Sequence, residues 1–284
     1  MAAMQGHSTV AIIGVGLIGG SIGLALRKRN LADRIIGVGR GKASLAKALD
    51  LEAVTSTTTS LEDGVKDADF VVVCTPVNEI ADLLMQVAAA AVDRAILTDA
   101  GSTKASIVAK VDSALSKGKH FVGSHPLAGG EKNGVDFARA DLFESRVVVV
   151  TPSKKTDPAD LVAVTYFWQC LGANVISMPP DVHDRALATT SHLPHIIASA
   201  AAQITAAADL ELTAGGWRDL TRIASGSPDL WLQILLDNRA GILNSLTGFE
   251  KTMAEFRAAL ESADAAKLRQ LLTEGKNRRD AVGN

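Results

Sequence analysis

Short β-branched and aliphatic runs alternate with longer stretches of helical periodicity through the first 178 residues, the pattern of a parallel sheet whose strands are joined by crossover helices. Strands are predicted at TVAIIG (9–14), RIIGVG (34–39), DFVVVC (69–74), AILTDA (95–100), HFVGSH (120–125), RVVVVT (146–151) and ANVISM (173–178). Helices are predicted between them, notably over Ile18–Asn30, Glu79–Ala91, Lys104–Lys117 and Ala159–Leu171. The strands are apolar at nearly every position rather than at alternate ones, which indicates burial on both faces. After Met178 the pair Pro179-Pro180 breaks the pattern, and helices alone are predicted, at 182–209, 211–224, 228–262 and 264–281. Gly215-Gly216, Gly226 and Pro228 punctuate them. The expected fold is α/β: a Rossmann-type, mostly parallel, doubly wound sheet over 1–178, followed by an all-helical domain over 179–284.

Composition narrows the partners. Hydrophobic residues make up 47% of the 284 and the net charge is -2, so the chain has material for a large core and is not of the disordered class. With 29 basic against 31 acidic side chains there is no basic field for nucleic acid and no polybasic anchor for a membrane, which leaves a small-molecule partner. The start, MAAMQGHSTV, carries neither a basic segment nor an apolar one, so a cytoplasmic location is expected. The apolar stretch Leu193–Ala208 is Ala-rich and interrupted by Pro194, His195 and Gln203, as in a tightly packed helix rather than a membrane span. Cys74 and Cys170 lack a CxxC or Cys/His pattern and are expected to be buried free thiols.

Gly14-Val15-Gly16-Leu17-Ile18-Gly19 follows a predicted strand and opens a predicted helix, the setting in which GxGxxG binds a dinucleotide. Gly14 permits the tight turn, Gly16 lets backbone approach a pyrophosphate, and Gly19 allows the helix close to the sheet. The free N–H groups at the helix start, from Leu17 and Ile18 onward, face the phosphates. Thr75, just past the third strand, is grouped with these coenzyme residues. Where an NAD site usually carries an acidic residue, at the end of the second strand, the chain has Val38-Gly39-Arg40. Arg40 suits the 2′-phosphate of NADP, so NADP is expected to be preferred with NAD possible; the other reading of Arg40 is a solvated loop charge.

Four later segments are more specific: Asp99-Ala100-Gly101-Ser102-Thr103-Lys104, Gly123-Ser124-His125-Pro126-Leu127-Ala128-Gly129-Gly130-Glu131-Lys132-Asn133-Gly134, Ser191-His192-Leu193-Pro194-His195, and Trp217-Arg218-Asp219-Leu220-Thr221-Arg222-Ile223-Ala224. Together they resemble the prephenate/arogenate dehydrogenase family of tyrosine biosynthesis, in the family's order and over nearly the whole chain. No segment is left over for a chorismate mutase or ACT domain, so the resemblance is to the monofunctional form. It implies oxidative decarboxylation of prephenate to 4-hydroxyphenylpyruvate with hydride transfer to NAD(P), with arogenate, or both substrates, as the alternative; a protein that binds NADP without turnover is the remote alternative.

By that resemblance His125, at the carboxyl edge of its strand, deprotonates the ring hydroxyl, and Ser102 hydrogen-bonds to substrate, His125 or nicotinamide. Ser102 or Thr103 capping the next helix is the competing reading for that site. Arg222 matches the family's carboxylate anchor, against an ordinary salt bridge to Asp219 or Glu211. His195 and Glu131 are further substrate-pocket candidates, and Asp184 and Trp231 line or shape the pocket, each open to a purely structural role. His192 and His195 share a helix face, but no Glu or Cys accompanies them at ligand spacing, so no metal is expected. A homodimer through the helical domain is expected from the resemblance and from the apolar surface of 193–208 and 228–262.

Overall fold

The computed structural model describes residues 8–130 and 132–283, and the chain divides into two compact units, Met1–Asn238 and Arg239–Asn284. The first opens with β1 (Thr9–Ile13), α1 (Leu17–Lys28), β2 (Arg34–Val38), α2 (Lys42–Asp50), β3 (Ser56–Thr58), α3 (Leu61–Val65), β4 (Phe70–Val73) and α4 (Val77–Ala90). It continues with β5 (Ile96–Asp99), α5 (Ala105–Ala114), β6 (His120–Pro126), β7 (Val147–Thr151), α6 (Pro158–Cys170) and β8 (Asn174–Ser177). The strands form one sheet in the order β3-β2-β1-β4-β5-β6-β7-β8. All neighbours are parallel except β6 and β7, which run antiparallel with His125 opposite Val149.

Successive side chains of a strand face opposite ways, and β1 shows why these strands are apolar throughout. Val10 and Ile12 join one buried cluster with Phe167 and Trp168 of α6. Ala11 and Ile13 join another with Ile80 and Leu84 of α4. The strand order reverses between β1 and β4, so the loops leaving their carboxyl ends diverge and open a crevice there.

Beyond β8 the described residues form no further strand. Helix α7 (Pro180–Leu187) runs through a π-turn, Ala188–His192, into α8 (Leu193–Ile204). The Leu193 N–H reaches back to the Ala188 carbonyl, which widens the helix just ahead of Pro194. Then come a 3-10 stretch (Ala207–Leu212), α9 (Gly215–Thr221), a 3-10 turn (Arg222–Ser225) and α10 (Pro228–Asp237). The second unit holds α11 (Arg239–Glu261) and α12 (Ala265–Asp280).

Several sequence expectations are corrected. The helix expected over 228–262 is broken at Asn238, whose buried amide is committed to side-chain hydrogen bonds. The helix expected to 209 stops at Ile204, and only Gly215–Thr221 of the stretch 211–224 is α-helical. Strand β3 is an edge strand of Ser and Thr with no apolar run to betray it. Cys74 and Cys170 are free but only partly buried. No helix among the described residues is long and apolar enough to cross a membrane.

Candidate active site

The crevice begins at the glycine turn after β1. Gly14 has φ +91, and a Cβ there would sit 2.9 Å from the Cys74 carbonyl oxygen. Left-handed backbone and close approach both require glycine. A Cβ on Gly19 would meet the Gly14 carbonyl oxygen at 2.2 Å, so this glycine lets α1 start hard against β1. Gly16 meets nothing within 4 Å, because it faces a cavity of about 400 Å³ whose wall also holds Leu17, Ile18, Thr75, Ser102 and His125. The Thr75 hydroxyl is buried and has no protein partner. A glycine cradle at a helix N-terminus with an orphaned hydroxyl beside it fits a dinucleotide phosphate and ribose.

A second cavity of about 670 Å³ continues from the same turn past Gly39 and Arg40. Here the Arg40 guanidinium is paired with Glu79 of α4 at 3.1 Å, and the two side chains are 87% and 33% exposed. Arg40 is therefore at the expected place, with a carboxylate already beside it.

His125 closes the inner end. It lines both the coenzyme cavity and a further cavity of about 640 Å³ that holds Arg222 and Trp231. Its Nδ1 lies 2.9 Å from Nε2 of the buried His183, and His183 Nδ1 lies 2.7 Å from Asp184 Oδ1. Burial, and then the electrostatic influence of neighbouring His183, Lys104 and His192, hold the His125 pKa well below the ordinary 6.5. The imidazole is neutral near neutral pH and its Nε2 is left for a ligand.

Ser102 lines the coenzyme cavity next to His125. The capping role weighed for Ser102 and Thr103 is filled otherwise: α5 begins at Ala105, with no capping side chain of its own. Its first N–H groups, Lys104 and Ala105, donate to the two Asp184 oxygens at 2.8 and 2.9 Å. Asp184, expected at the substrate pocket, thus stands behind His183 and outside the cavity walls. Burial raises its pKa, but the His183 and backbone hydrogen bonds outweigh that and the net shift is downward.

On the substrate side, Arg222 is exposed at the start of its 3-10 turn and shares the cavity of about 640 Å³ with His125. Trp231 lines both this cavity and the coenzyme cavity. His195 sits behind Trp231, rings stacked at 3.6 Å, with its Nδ1 buried and unpartnered. Gly226 makes room for them, since a Cβ there would be 2.6 Å from Trp231 Nε1. Glu131 lies outside the described residues.

Sequence reasoning gave no role to four residues that build the base's surroundings. Asp99 and Lys104 are wholly buried and ion-paired. Lys104 Nζ also donates to the Ser124 carbonyl at 2.9 Å, while Asp99 Oδ1 accepts from Ser124 N–H at 3.1 Å. The pair therefore clamps both backbone groups of the residue before His125. The others are His183 and Asn238, whose amide donates to the Asp184 carbonyl and faces His192 Nδ1. The available signal was a Lys five residues past the end of β5 in an otherwise small-residue turn, too thin to separate from a surface charge.

A Rossmann crevice with a buried neutral histidine where its coenzyme cavity meets a second one defines a nicotinamide-dependent dehydrogenase. Two family models agree in kind: "Prephenate dehydrogenase, nucleotide-binding domain" matches residues 22–177 and "Prephenate dehydrogenase, dimerization domain" matches 179–274. The chain belongs to the prephenate dehydrogenase family. It is 35% identical to the prephenate dehydrogenase of Bacillus subtilis, over 98% of this chain and 77% of that one. It is 31% identical to the cyclohexadienyl dehydrogenase of Zymomonas mobilis, over 96% and 95%. Among solved structures, that of Aquifex aeolicus prephenate dehydrogenase in complex with hydroxyphenyl propionate and NAD+ matches with TM-score 0.90 and 33% identity, covering 98% of this chain and 99% of that one.

Proposed function

We propose that this chain oxidatively decarboxylates prephenate to 4-hydroxyphenylpyruvate. The observation that carries the reading is His125, a buried neutral imidazole shared by the coenzyme and substrate cavities, with Nδ1 already engaged. Nicotinamide, when bound, supplies the acceptor for the hydride on C4 of the substrate ring. His125 Nε2 takes the proton of the C4 hydroxyl as that carbon becomes a carbonyl. The ring carboxylate then departs as carbon dioxide, its bonding electrons close the aromatic ring, and the phenolate oxygen recovers the proton from His125.

Ser102, beside His125 in the same wall, orients the hydroxyl. Arg222 anchors a substrate carboxylate through its planar fork of donors, and Trp231, backed by His195, walls off water. The residues 1–178 serve the coenzyme and 179–284 serve substrate and self-association, as a homodimer. Its basis is the family's dimerization model and the exposed Ile204, Leu212 and Leu236. We place NADP ahead of NAD on the strength of Gly39 and Arg40, and prephenate ahead of arogenate on the strength of the relatives' names. The test is absorbance of reduced nicotinamide with purified protein, each coenzyme, and prephenate or arogenate. Turnover of prephenate supports the reading; no signal with either substrate overturns the enzyme, and turnover of arogenate alone overturns the substrate.

A further inference from the structure

His183 lines none of the three cavities, yet it is fully buried and both of its ring nitrogens are taken. The donor and acceptor roles along this chain of groups are forced from one end. A carboxylate oxygen only accepts hydrogen bonds. Asp184 is held ionised by backbone N–H groups of Lys104 and Ala105 at the start of α5, in addition to His183. His183 Nδ1 must therefore carry a proton, and in the neutral imidazole this leaves Nε2 bare and accepting. The His125 Nδ1 at 2.9 Å must then be the donor, which leaves His125 Nε2 bare.

We propose that His183 is a positioning residue that, backed by Asp184, fixes His125 in the tautomer with an unprotonated Nε2. This rests on the reading of His125 as the base. Without the fixed acceptor, a neutral imidazole is free to carry its proton on Nε2, where it cannot take another. When His125 accepts the hydroxyl proton, the positive charge lies on a hydrogen-bonded line ending at Asp184. Lys104 and His192, the other groups facing His125, oppose that charge, and Asp99 is already paired with Lys104, so Asp184 is the counter-charge on the hydrogen-bonded line. Packing alone does not need this arrangement: the two histidine rings meet edge-on at 5.1 Å between centroids, a contact that phenylalanine makes equally well.

The experiment combines His183→Phe, His183→Gln and Asp184→Asn with His125→Asn as reference. His183→Phe keeps the ring and removes both nitrogens, and kcat is expected to fall about 10- to 100-fold with KM and coenzyme Kd within about twofold. His183→Gln keeps an acceptor for His125 Nδ1 and is expected to recover part of that loss. In Asp184→Asn the amide oxygen still accepts from His183 Nδ1 and Lys104 N–H, but its NH2 faces the Ala105 N–H and the negative charge is gone, so kcat is expected to fall about 10- to 100-fold through loss of the counter-charge while the His125 tautomer is kept. Nitrogen-15 spectra of the wild-type histidines read the tautomer directly and need no variant to fold. A His125 protonated at Nε2 in the wild type overturns the proposal, as does His183→Phe with kcat within about threefold of wild type. If His125→Asn itself retains turnover, the reading of the base fails and the positioning role of His183 falls with it; loss of turnover in His125→Asn with His183→Phe unchanged overturns the role of His183 alone.

Discussion

At the His125 end of the crevice every charged group is out of water and committed: Asp99 to Lys104, both to the Ser124 backbone, and Asp184 to His183 and the start of α5. At the Arg40 end the one ion pair stands largely in solvent. The difference sets how much each end resists change. In the interior a lost partner leaves a charge that water cannot reach, which costs several kcal/mol. At the surface water and salt replace the partner, and the pair contributes about 0–1 kcal/mol. The inner end is thus fixed by the fold, and the outer end is free to be retuned.

The largest expected effect falls on the inner end. His125→Asn is expected to keep fold and coenzyme binding while lowering kcat by roughly two to four powers of ten; near-normal turnover would remove His125 from the chemistry. In the unmodified enzyme, the pKa held well below 6.5 keeps the imidazole neutral as pH falls. Turnover over KM should decline only when pH drops through that lowered value, so the acid limb of its profile lies below 6.5. An acid limb at or above that point would show that His125 is not shielded as its burial implies.

Lys104→Met tests the same end through stability. It leaves the fully buried Asp99 facing only the N–H groups of Gly101 and Ser124, and a broken buried pair costs about 3–5 kcal/mol. Urea unfolding reads the loss directly. A variant within about 1 kcal/mol of wild type would mean that Asp99 takes up a proton or water at little cost, and the contrast between the two ends would then weaken.

What was legible in the sequence divides along similar lines. The glycine turn and the apolar strands were readable because each depends on local chemistry, a left-handed turn and burial on both faces, while His125 was readable through the resemblance carried by His125-Pro126-Leu127-Ala128-Gly129. The Ser-Thr-Thr edge strand was not, since it pairs on one side only and needs no apolar face. The antiparallel turn of β7 and the break at Asn238 depend on long-range partners, Gly123–Pro126 in one case and Asp184 with His192 in the other. Lys104 and His183 were missed for the same reason: their roles exist only once β5, β6 and α7 meet.

Between the two ends sits Arg222, exposed yet facing the cavity that His125 closes. Arg222→Ala is expected to raise the substrate KM about 10- to 100-fold and leave kcat nearly unchanged, as for an anchor worth about 1.5–3 kcal/mol in ground and transition states alike. Unchanged saturation would assign Arg222 to the surface instead.

The smallest effect is expected at Arg40, and it is the sharpest test of the outer end. The proposed preference for NADP rests on a guanidinium that Glu79 now holds at 3.1 Å. A 2′-phosphate must displace that carboxylate and then lie near it, so Glu79 works against the phosphate twice: it competes for the donor and repels the ligand. Because the pair is solvent-exposed, the competition is worth no more than about 1 kcal/mol, or a factor of about five. Glu79→Gln should therefore raise kcat/KM for NADP by about two- to fivefold and leave NAD nearly unchanged. Arg40→Ala with Gly39→Asp should shift the ratio the other way, toward NAD. The new carboxylate has room, since a Cβ on Gly39 meets nothing closer than Leu45 at 3.4 Å. Both shifts should shrink as salt rises through the range where the Debye length falls below about 10 Å. Coenzyme ratios measured with one substrate decide it: if Arg40→Ala leaves the ratio untouched, Arg40 is a loop charge that Glu79 keeps occupied, and the choice of coenzyme is made elsewhere in the crevice.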